Sequence, residues 1–99
     1  MVRIKWTEES LEDIENIAEF IAKDSMKYAK IQVQRFFDNV ENLRTLPKFG
    51  RIVPEIGDEK IREIIQGNYR IIYRIVTDKY IDILSVHHSN RLLSNNPNL

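Results

Sequence analysis

The segment YRIIYRIV, residues 69–76, is typical of a β-strand because its side chains alternate with a period of two. One face of this strand is wholly apolar or aromatic, with Tyr69, Ile71, Tyr73 and Ile75. The other face carries Arg70, Ile72, Arg74 and Val76. We expect the first face to pack against other elements, which leaves Arg70 and Arg74 on the open side of a sheet.

Two neighbouring segments, KIREII at residues 60–65 and YIDILSV at residues 80–86, are also rich in Ile, Val and Tyr. Short turns, QG and TDK, separate them from the central strand. This spacing predicts an antiparallel meander of three strands. Near the N-terminus, VRIKW alternates in the same way and predicts a fourth strand in the same sheet.

The residues between these strands predict two amphipathic helices. Thr7 can cap the first helix, whose apolar stripe faces a core while Glu12, Asp13, Glu15, Asn16 and Glu19 face water. Asp24 or Ser25 can cap the second, whose apolar side extends to Leu46 before Pro47 ends it. The predicted fold class is therefore α+β: an N-terminal strand, an antiparallel helical hairpin, then a three-strand antiparallel meander completing one sheet.

The segment PKFGRIVPEIGDE, residues 47–59, holds two prolines and two glycines and predicts an ordered loop. Residues 93–99 are polar and end in Asn, Pro, Asn and Leu. We expect one domain at residues 1–92, followed by a polar tail at residues 93–99.

Charge is distributed unevenly along a chain whose net charge is zero. Residues 7–46 carry nine acids and five bases, whereas residues 60–99 carry six bases and three acids. Such polarity suits docking to an anionic target, although a neutral chain lacks the strongly basic signature of a nucleic-acid domain. Cysteine is absent, which excludes disulfides and thiolate metal sites. There is no apolar leader and no run near the roughly 18 residues that span a bilayer, so we expect a cytoplasmic protein without membrane contact.

Arginines on an open sheet face would bind phosphates well, because a guanidinium grips two oxygens and keeps its proton. Arg62 on the preceding strand could join Arg70 and Arg74 there, depending on register. The alternative is a set of ordinary ion pairs, with Arg62 held by Glu63 or another nearby acid and Arg74 by Asp82. Arg70, in the middle of its strand, is the least expected charge.

His87 and His88 follow the last strand and could supply a general acid. Since adjacent strand residues point to opposite faces, at most one of them is expected to meet the arginines. Glu55, in the loop, is a candidate general base. For each of these three residues a structural role is favoured over a catalytic one. No metal-ligand motif, Gly-rich phosphate loop or nucleophile elbow is present, and we expect no metal and no cofactor.

Three runs, LPKFGRIVPE, IREIIQGNYRIIYRI and IDILSVHHSNRLL, closely resemble the RelE/ParE superfamily, the toxins of type II toxin-antitoxin modules. The resemblance covers about residues 3–92. In that family a helical hairpin precedes a loop with a proline and a Gly-Arg pair, followed by an Arg-bearing strand, a YRIxY strand and a last strand ending in Val-x-His-x-x-Arg. These features fall here on Pro47, Gly50 and Arg51, on Arg62, on Tyr69 to Tyr73, and on Val86, His88 and Arg91.

The resemblance implies growth arrest that a cognate antitoxin holds in check by wrapping the toxin. ParE-like members poison DNA gyrase, and RelE-like members cut mRNA on the ribosome. The Val-x-His-x-x-Arg ending and the absence of a lysine-rich surface favour the ParE-like mechanism slightly. A non-toxic relative that only binds an antitoxin is a third possibility.

The resemblance also suggests which residues would act. A RelE-like nuclease would rely on Arg62 and Arg70, on Glu55 as base and on His87 or His88 as acid. Contact with a target, gyrase or ribosome, would use Arg51, Arg62, Arg70, Arg74 and Arg91. The expected partners are the antitoxin and one of these targets, in a toxin-antitoxin hetero-oligomer.

Overall fold

The computed structural model describes residues 1–89, which begin with a strand and two helices. These are β1 (Arg3–Trp6), α1 (Glu8–Ala22) and α2 (Met26–Glu41), and a single turn of 3₁₀ helix, Asn42–Arg44, follows α2. Thr7 Oγ1 accepts a hydrogen bond from the Ser10 amide, and Ser25 Oγ accepts one from the Tyr28 amide, so hydroxyl caps start both helices as predicted. Because α2 ends at Glu41, Leu46 lies beyond the helix and is exposed, contrary to expectation.

The remaining elements are β2 (Arg51–Ile52), β3 (Ile61–Gln66), β4 (Tyr69–Thr77) and β5 (Tyr80–His88). They form one sheet with β1 in the order β1-β5-β4-β3-β2. β1 runs parallel to β5, and every other pair is antiparallel. The predicted α+β fold, the meander and the addition of the first strand are confirmed; β2 lies in the segment predicted to be a loop. Arg91 and the tail at 93–99 lie outside the described residues.

The helical hairpin packs on one face of the sheet and forms the main core. The predicted inner residues of β4 belong to it: Ile71 and Tyr73 are fully buried, and Tyr69 and Ile75 pack against the cluster. Phe36 from α2 meets the Tyr69 ring edge-on. Full burial of side chains of this size stabilises a fold by about 1.5–3 kcal/mol each.

Asp13 of α1 was predicted to face water, and this prediction is wrong. Its carboxylate accepts a hydrogen bond of 2.9 Å from the backbone amide of Val86. β1 ends opposite Ile83, so β5 has no neighbouring strand at Val86 on that side. The side chain of Asp13 thus takes the place of a strand carbonyl.

The opposite face of the sheet carries a smaller apolar cluster of Val53, Ile61, Ile72 and Leu84. Val53 belongs to the loop between β2 and β3, and it is fully buried. The loop therefore covers part of the face that the sequence predicted to be open.

A β-bulge interrupts β5 ahead of the two histidines. Ile72 pairs with Ser85 and Tyr73 with Ile83, so Leu84 is an extra residue. The alternation of side chains shifts by one there. Ile83 and Val86 both face the helices, and His87 lies on the face that the loop covers.

No helix within residues 1–89 is both long enough and apolar enough to cross a membrane.

Candidate functional site: an arginine–glutamate cluster

Glu63 is a fully buried carboxylate in the middle of the sheet. It pairs with Arg51 of β2 and with Ile72 of β4, on the face that the loop covers. Arg51 Nε donates to Glu63 Oε2 at 2.5 Å, and Arg70 Nε donates to Glu63 Oε1 at 2.6 Å. Two arginines therefore compensate the burial of this charge, as a buried carboxylate requires.

Arg70 is also held by Glu55 of the covering loop. Its two terminal nitrogens donate to the two carboxylate oxygens of Glu55, at 2.7 and 3.0 Å. The Arg70 side chain is only 7% exposed, so the prediction that it lies on an open face is wrong. The hydrogen bond to Glu55 raises the pKa of the Arg70 guanidinium, while burial opposes that rise.

These four side chains, Arg51, Glu55, Glu63 and Arg70, form what we call the arginine–glutamate cluster. It holds two positive and two negative charges, so its formal charge is zero. Glu55 grips Arg70 in the bidentate manner by which an arginine would otherwise grip a phosphate. In this arrangement the Arg70 guanidinium is already bound by a carboxylate of the protein itself.

His87 lies beside the cluster and His88 on the other face, as the alternation predicts. His87 is directly opposite Arg70 in the β4–β5 ladder and is 5% exposed. Its Nδ1 is 3.2 Å from the backbone carbonyl oxygen of His88. The His88 ring packs edge-on to Tyr69, with ring centroids 5.8 Å apart. The structure thus brings together Glu55, Arg70 and His87 among the predicted catalytic residues.

Arg62 does not join the other arginines. It pairs with Tyr73 in the ladder and so lies on the helix side of the sheet. Its guanidinium donates to the carbonyls of Gly50 and Glu59, at 3.0 and 2.9 Å. In the part of the chain that the structure describes, the alternative, an ion pair between Arg62 and Glu63, is not formed either, because adjacent strand residues point to opposite faces.

Arg74 is exposed, unlike Arg70 on the same strand. It lies opposite Asp82 in the ladder, yet the structure of residues 1–89 contains no ion pair between them. One carboxylate oxygen of Asp82 is buried and has no hydrogen-bond partner in the described part of the chain. Arg74 therefore keeps its charge available to a ligand or partner.

Tyr73 holds residues 47–50, which precede β2. It was not among the predicted site residues. Its hydroxyl accepts a hydrogen bond from the Gly50 amide at 2.9 Å and donates to the Pro47 carbonyl at 2.8 Å. A Cβ at Gly50 would lie 2.5 Å from the carbonyl oxygen of Glu63, so only glycine fits. Burial raises the pKa of the Tyr73 phenol.

The sequence did contain a signal for Glu63. A two-residue turn, Gly67–Asn68, joins β3 to β4 and places Gln66 opposite Tyr69. Counting outward from this turn puts Glu63 diagonally across from Arg70, within reach of a long side chain. The signal for Tyr73 is weaker, because its partners lie in a loop.

No group of three His, Cys, Asp or Glu residues that could hold a metal ion exists within residues 1–89.

Comparison with known proteins agrees with this architecture. A chain of a solved structure, the chromosomal ParDE TA system from P. aeruginosa, has a similar fold: the TM-score is 0.70 and the sequences are 22% identical. The similarity covers 89% of this chain and 96% of that one. A search of curated protein sequences found no match.

The sequence itself matches, over residues 4–93, the family described as the ParE toxin of type II toxin-antitoxin system, parDE. The match spans most of the chain, and the chain belongs to this family. It is a toxin of the type II class, and its resemblance to the RelE/ParE superfamily is confirmed.

Proposed function

We propose that this toxin arrests growth by binding and poisoning DNA gyrase when its antitoxin is absent. The observation that carries the proposal is the state of Arg70, the residue on which a nuclease site would depend. Its guanidinium is buried and held by both Glu55 and Glu63. Membership of the ParE toxin family supports the same mechanism.

A ribonuclease of this fold would need a free cation beside the scissile phosphate, a base for the ribose 2′-hydroxyl and an acid for the leaving oxygen. Here Arg70 and Glu55 neutralise each other, and Arg62 and His88 lie on the other side of the sheet. A chain of zero net charge also gains little from counterion release on RNA. These features favour a toxin that acts by binding.

RelE-like cleavage of mRNA is the second candidate, and one observation favours it. Glu55, Arg70 and His87 share one face of the sheet, in the combination of base, charge stabiliser and acid that such cleavage requires. For this function the loop with Glu55 would have to move away from Arg70 so that a phosphate could take its place.

One induction experiment separates the two mechanisms. Expression of the toxin alone should cause growth arrest, DNA breaks and filamentous cells, while mRNA ends remain unchanged. With purified components, the toxin should inhibit DNA supercoiling by gyrase. Ribosome-positioned cuts in mRNA without DNA breaks would contradict the gyrase proposal and favour cleavage. Both candidate targets are cytoplasmic, so the proposal places the toxin in the cytoplasm.

The antitoxin is the second proposed partner. A groove of about 490 Å³ runs between α1 and α2, and its apolar lining includes Ala22, Val33 and Phe37. An amphipathic helix of the antitoxin would fit such a groove. The alternative is an antitoxin strand added to the outer edge of β3, where Ile65 is exposed beyond the short β2.

Growth rescue tests this partnership. Co-expression of the neighbouring gene product should abolish the arrest and give a stable complex with the toxin. A bulky charge in the groove, Ala22→Arg, should weaken that complex, whereas the edge-strand alternative predicts loss on Ile65→Asp instead. Harmless expression of the toxin alone would indicate the non-toxic relative.

A further inference from the structure

The loop at residues 45–49 presents two large apolar side chains to solvent. Leu46 is 58% exposed and Phe49 is 51% exposed, with Pro47 and Lys48 between them. Together these residues line a shallow depression of about 380 Å³. Single exposed apolar residues are common, but these two share one depression and so form a contiguous apolar patch.

Hydrogen bonds define the conformation of this loop. The Phe49 amide donates to the Leu46 carbonyl at 2.9 Å, which closes a tight turn. The Tyr73 hydroxyl bridges the Pro47 carbonyl and the Gly50 amide from the core side. Since the loop is ordered before any partner arrives, binding through it would lose little conformational entropy.

The surroundings of the loop are basic. Two further depressions share lining residues with the first, one through Thr45 and Pro47 and the other through Lys48. The three are lined by four cationic and two anionic side chains, namely Arg44, Lys48, Lys60 and Lys79 against Glu59 and Asp78. Four minus two leaves a balance of plus two, or plus one when Glu41, which pairs with Arg44, is included.

Two other grooves among residues 1–89 lack this bias. The groove between the helices has Glu19 and Lys30, and the depression at the hairpin turn has Asp24 and Arg35, so each is balanced. The chain has no net charge, yet the surface around residues 45–49 is positive and surrounds an apolar centre. Complementary charge would steer an acidic protein surface to it.

We propose that residues 45–49 form the surface by which this toxin contacts the protein it inhibits, and that the contacted region of that protein is acidic around an apolar centre. This inference rests on the proposed function, because it assigns the surface to the gyrase contact. Phe49 and Leu46 are the anchors, and Lys48 with Lys60 and Lys79 supplies the attraction. The arginine–glutamate cluster is not needed for this contact.

Three variants test the surface. Phe49→Ser removes an anchor, and Lys48→Glu reverses a charge. Phe20→Ser is the matched control, because Phe20 is 69% exposed but lies on α1 at the hairpin-turn depression. All three changes are on exposed side chains, and circular dichroism with thermal melting would verify that the fold is kept.

Binding to purified DNA gyrase holoenzyme is the first measurement. We expect Phe49→Ser to weaken binding at least tenfold and Lys48→Glu to slow association, most strongly at low salt. Phe20→Ser should stay within twofold of the wild type. Equal loss in Phe20→Ser and Phe49→Ser, or unchanged binding by Phe49→Ser, would overturn the proposal.

Assays of growth arrest and of antitoxin binding distinguish the other possible partners of this surface. Phe49→Ser should relieve growth arrest while its affinity for the antitoxin is kept. Lost antitoxin affinity with full toxicity would assign the surface to the antitoxin, and a change only in self-association would assign it to a second copy of the chain; either result overturns the inference.

The same experiments show separately whether the gyrase proposal fails. If the wild-type toxin arrests growth without binding gyrase, the gyrase proposal is wrong. Relief of arrest by Phe49→Ser but not by Phe20→Ser would then still support residues 45–49 as the surface that contacts the inhibited protein. If the wild-type toxin does not arrest growth at all, both proposals are wrong.

Discussion

The face of β4 that points away from the helices has two halves that are alike in sequence but differ in burial. Arg70 and Arg74 are four residues apart on the same face of the same strand. Arg70 is buried beneath the loop with Val53 and Glu55, whereas Arg74 is exposed beside Asp82. The strand pattern places both arginines on one face, and the loop alone decides which one meets solvent.

The two halves also differ in what their charges contribute. In the covered half, loss of water around Arg70 and Glu63 is offset only by short hydrogen bonds to the opposite charge, so removal of one partner is costly. In the bare half, water solvates Arg74, and exposed charges contribute less than about 1 kcal/mol to stability. A direct comparison of these two arginines therefore measures the effect of the cover.

Arg70→Ala is expected to have the largest effect. It leaves Glu63 buried with only Arg51, so the free energy of unfolding should fall by about 3–5 kcal/mol. Arg74→Ala, the matched control on the same strand face, should change it by less than about 0.5 kcal/mol. Urea denaturation of both variants checks this, and similar losses in the two would show that the loop does not decide their roles.

Val53→Ala tests the apolar part of the cover. Val53 is fully buried against Ile61, Ile72 and Leu84, and removal of its two methyl groups should lower stability by about 2 kcal/mol. Val76→Ala, an exposed change on β4, is the control. A loss below about 0.5 kcal/mol in Val53→Ala would mean that the loop does not seal the cluster.

Tyr73→Phe removes the hydroxyl that holds residues 47–50, just before β2. The change leaves the Gly50 amide and the Pro47 carbonyl without their partner and should cost about 1–2 kcal/mol. Exposed Tyr28→Phe is the control.

This tyrosine also predicts a pH effect. Because burial raises its pKa in the folded state, the unfolded chain loses the phenol proton first, and stability should fall as pH rises above about 10. Tyr73→Phe should flatten that decline, as measured by thermal melting between pH 8 and about 11. An unchanged slope in the variant would assign the alkaline loss to other groups.

Glu55→Gln is expected to have the smallest effect. It keeps the shape of the side chain but removes one charge opposite Arg70, and about 1 kcal/mol should be lost. Hydrogen exchange of the amides of Val53 and of residues 55–57 should accelerate, while Glu59→Gln in the same loop should leave it unchanged. Slower exchange in Glu55→Gln would contradict a clamping role for Glu55.

Much of this fold could be predicted from the sequence because its signals are local. The alternation at residues 69–76 identified the packed face of β4, and the hydroxyls of Thr7 and Ser25 marked where the helices begin. Each of these signals depends on residues within one turn or one strand.

The cover could not be predicted in the same way. Within the loop, only Val53 enters the second apolar cluster, and no periodicity marks one buried residue. The partners of Arg70 are 7 and 15 residues away in sequence, so their contacts depend on strand register and on the path of the loop. The face of Arg62 also depends on register, and for that reason it was left open by the sequence.

At the bulge, β5 carries one more residue than the facing stretch of β4 requires. Removal of Leu84 would make the pairing regular between Tyr69 and Ile75 of β4 and keep each histidine on its present face, at the loss of one side chain from the small cluster. A deletion farther along, within the pairs that join Ile71 to Val86 and Arg70 to His87, would instead exchange the faces of the residues that follow. In relatives of different strand length, the residue that occupies the place of His87 should therefore be identified by its pairing with β4 and not by its distance from the start of the strand.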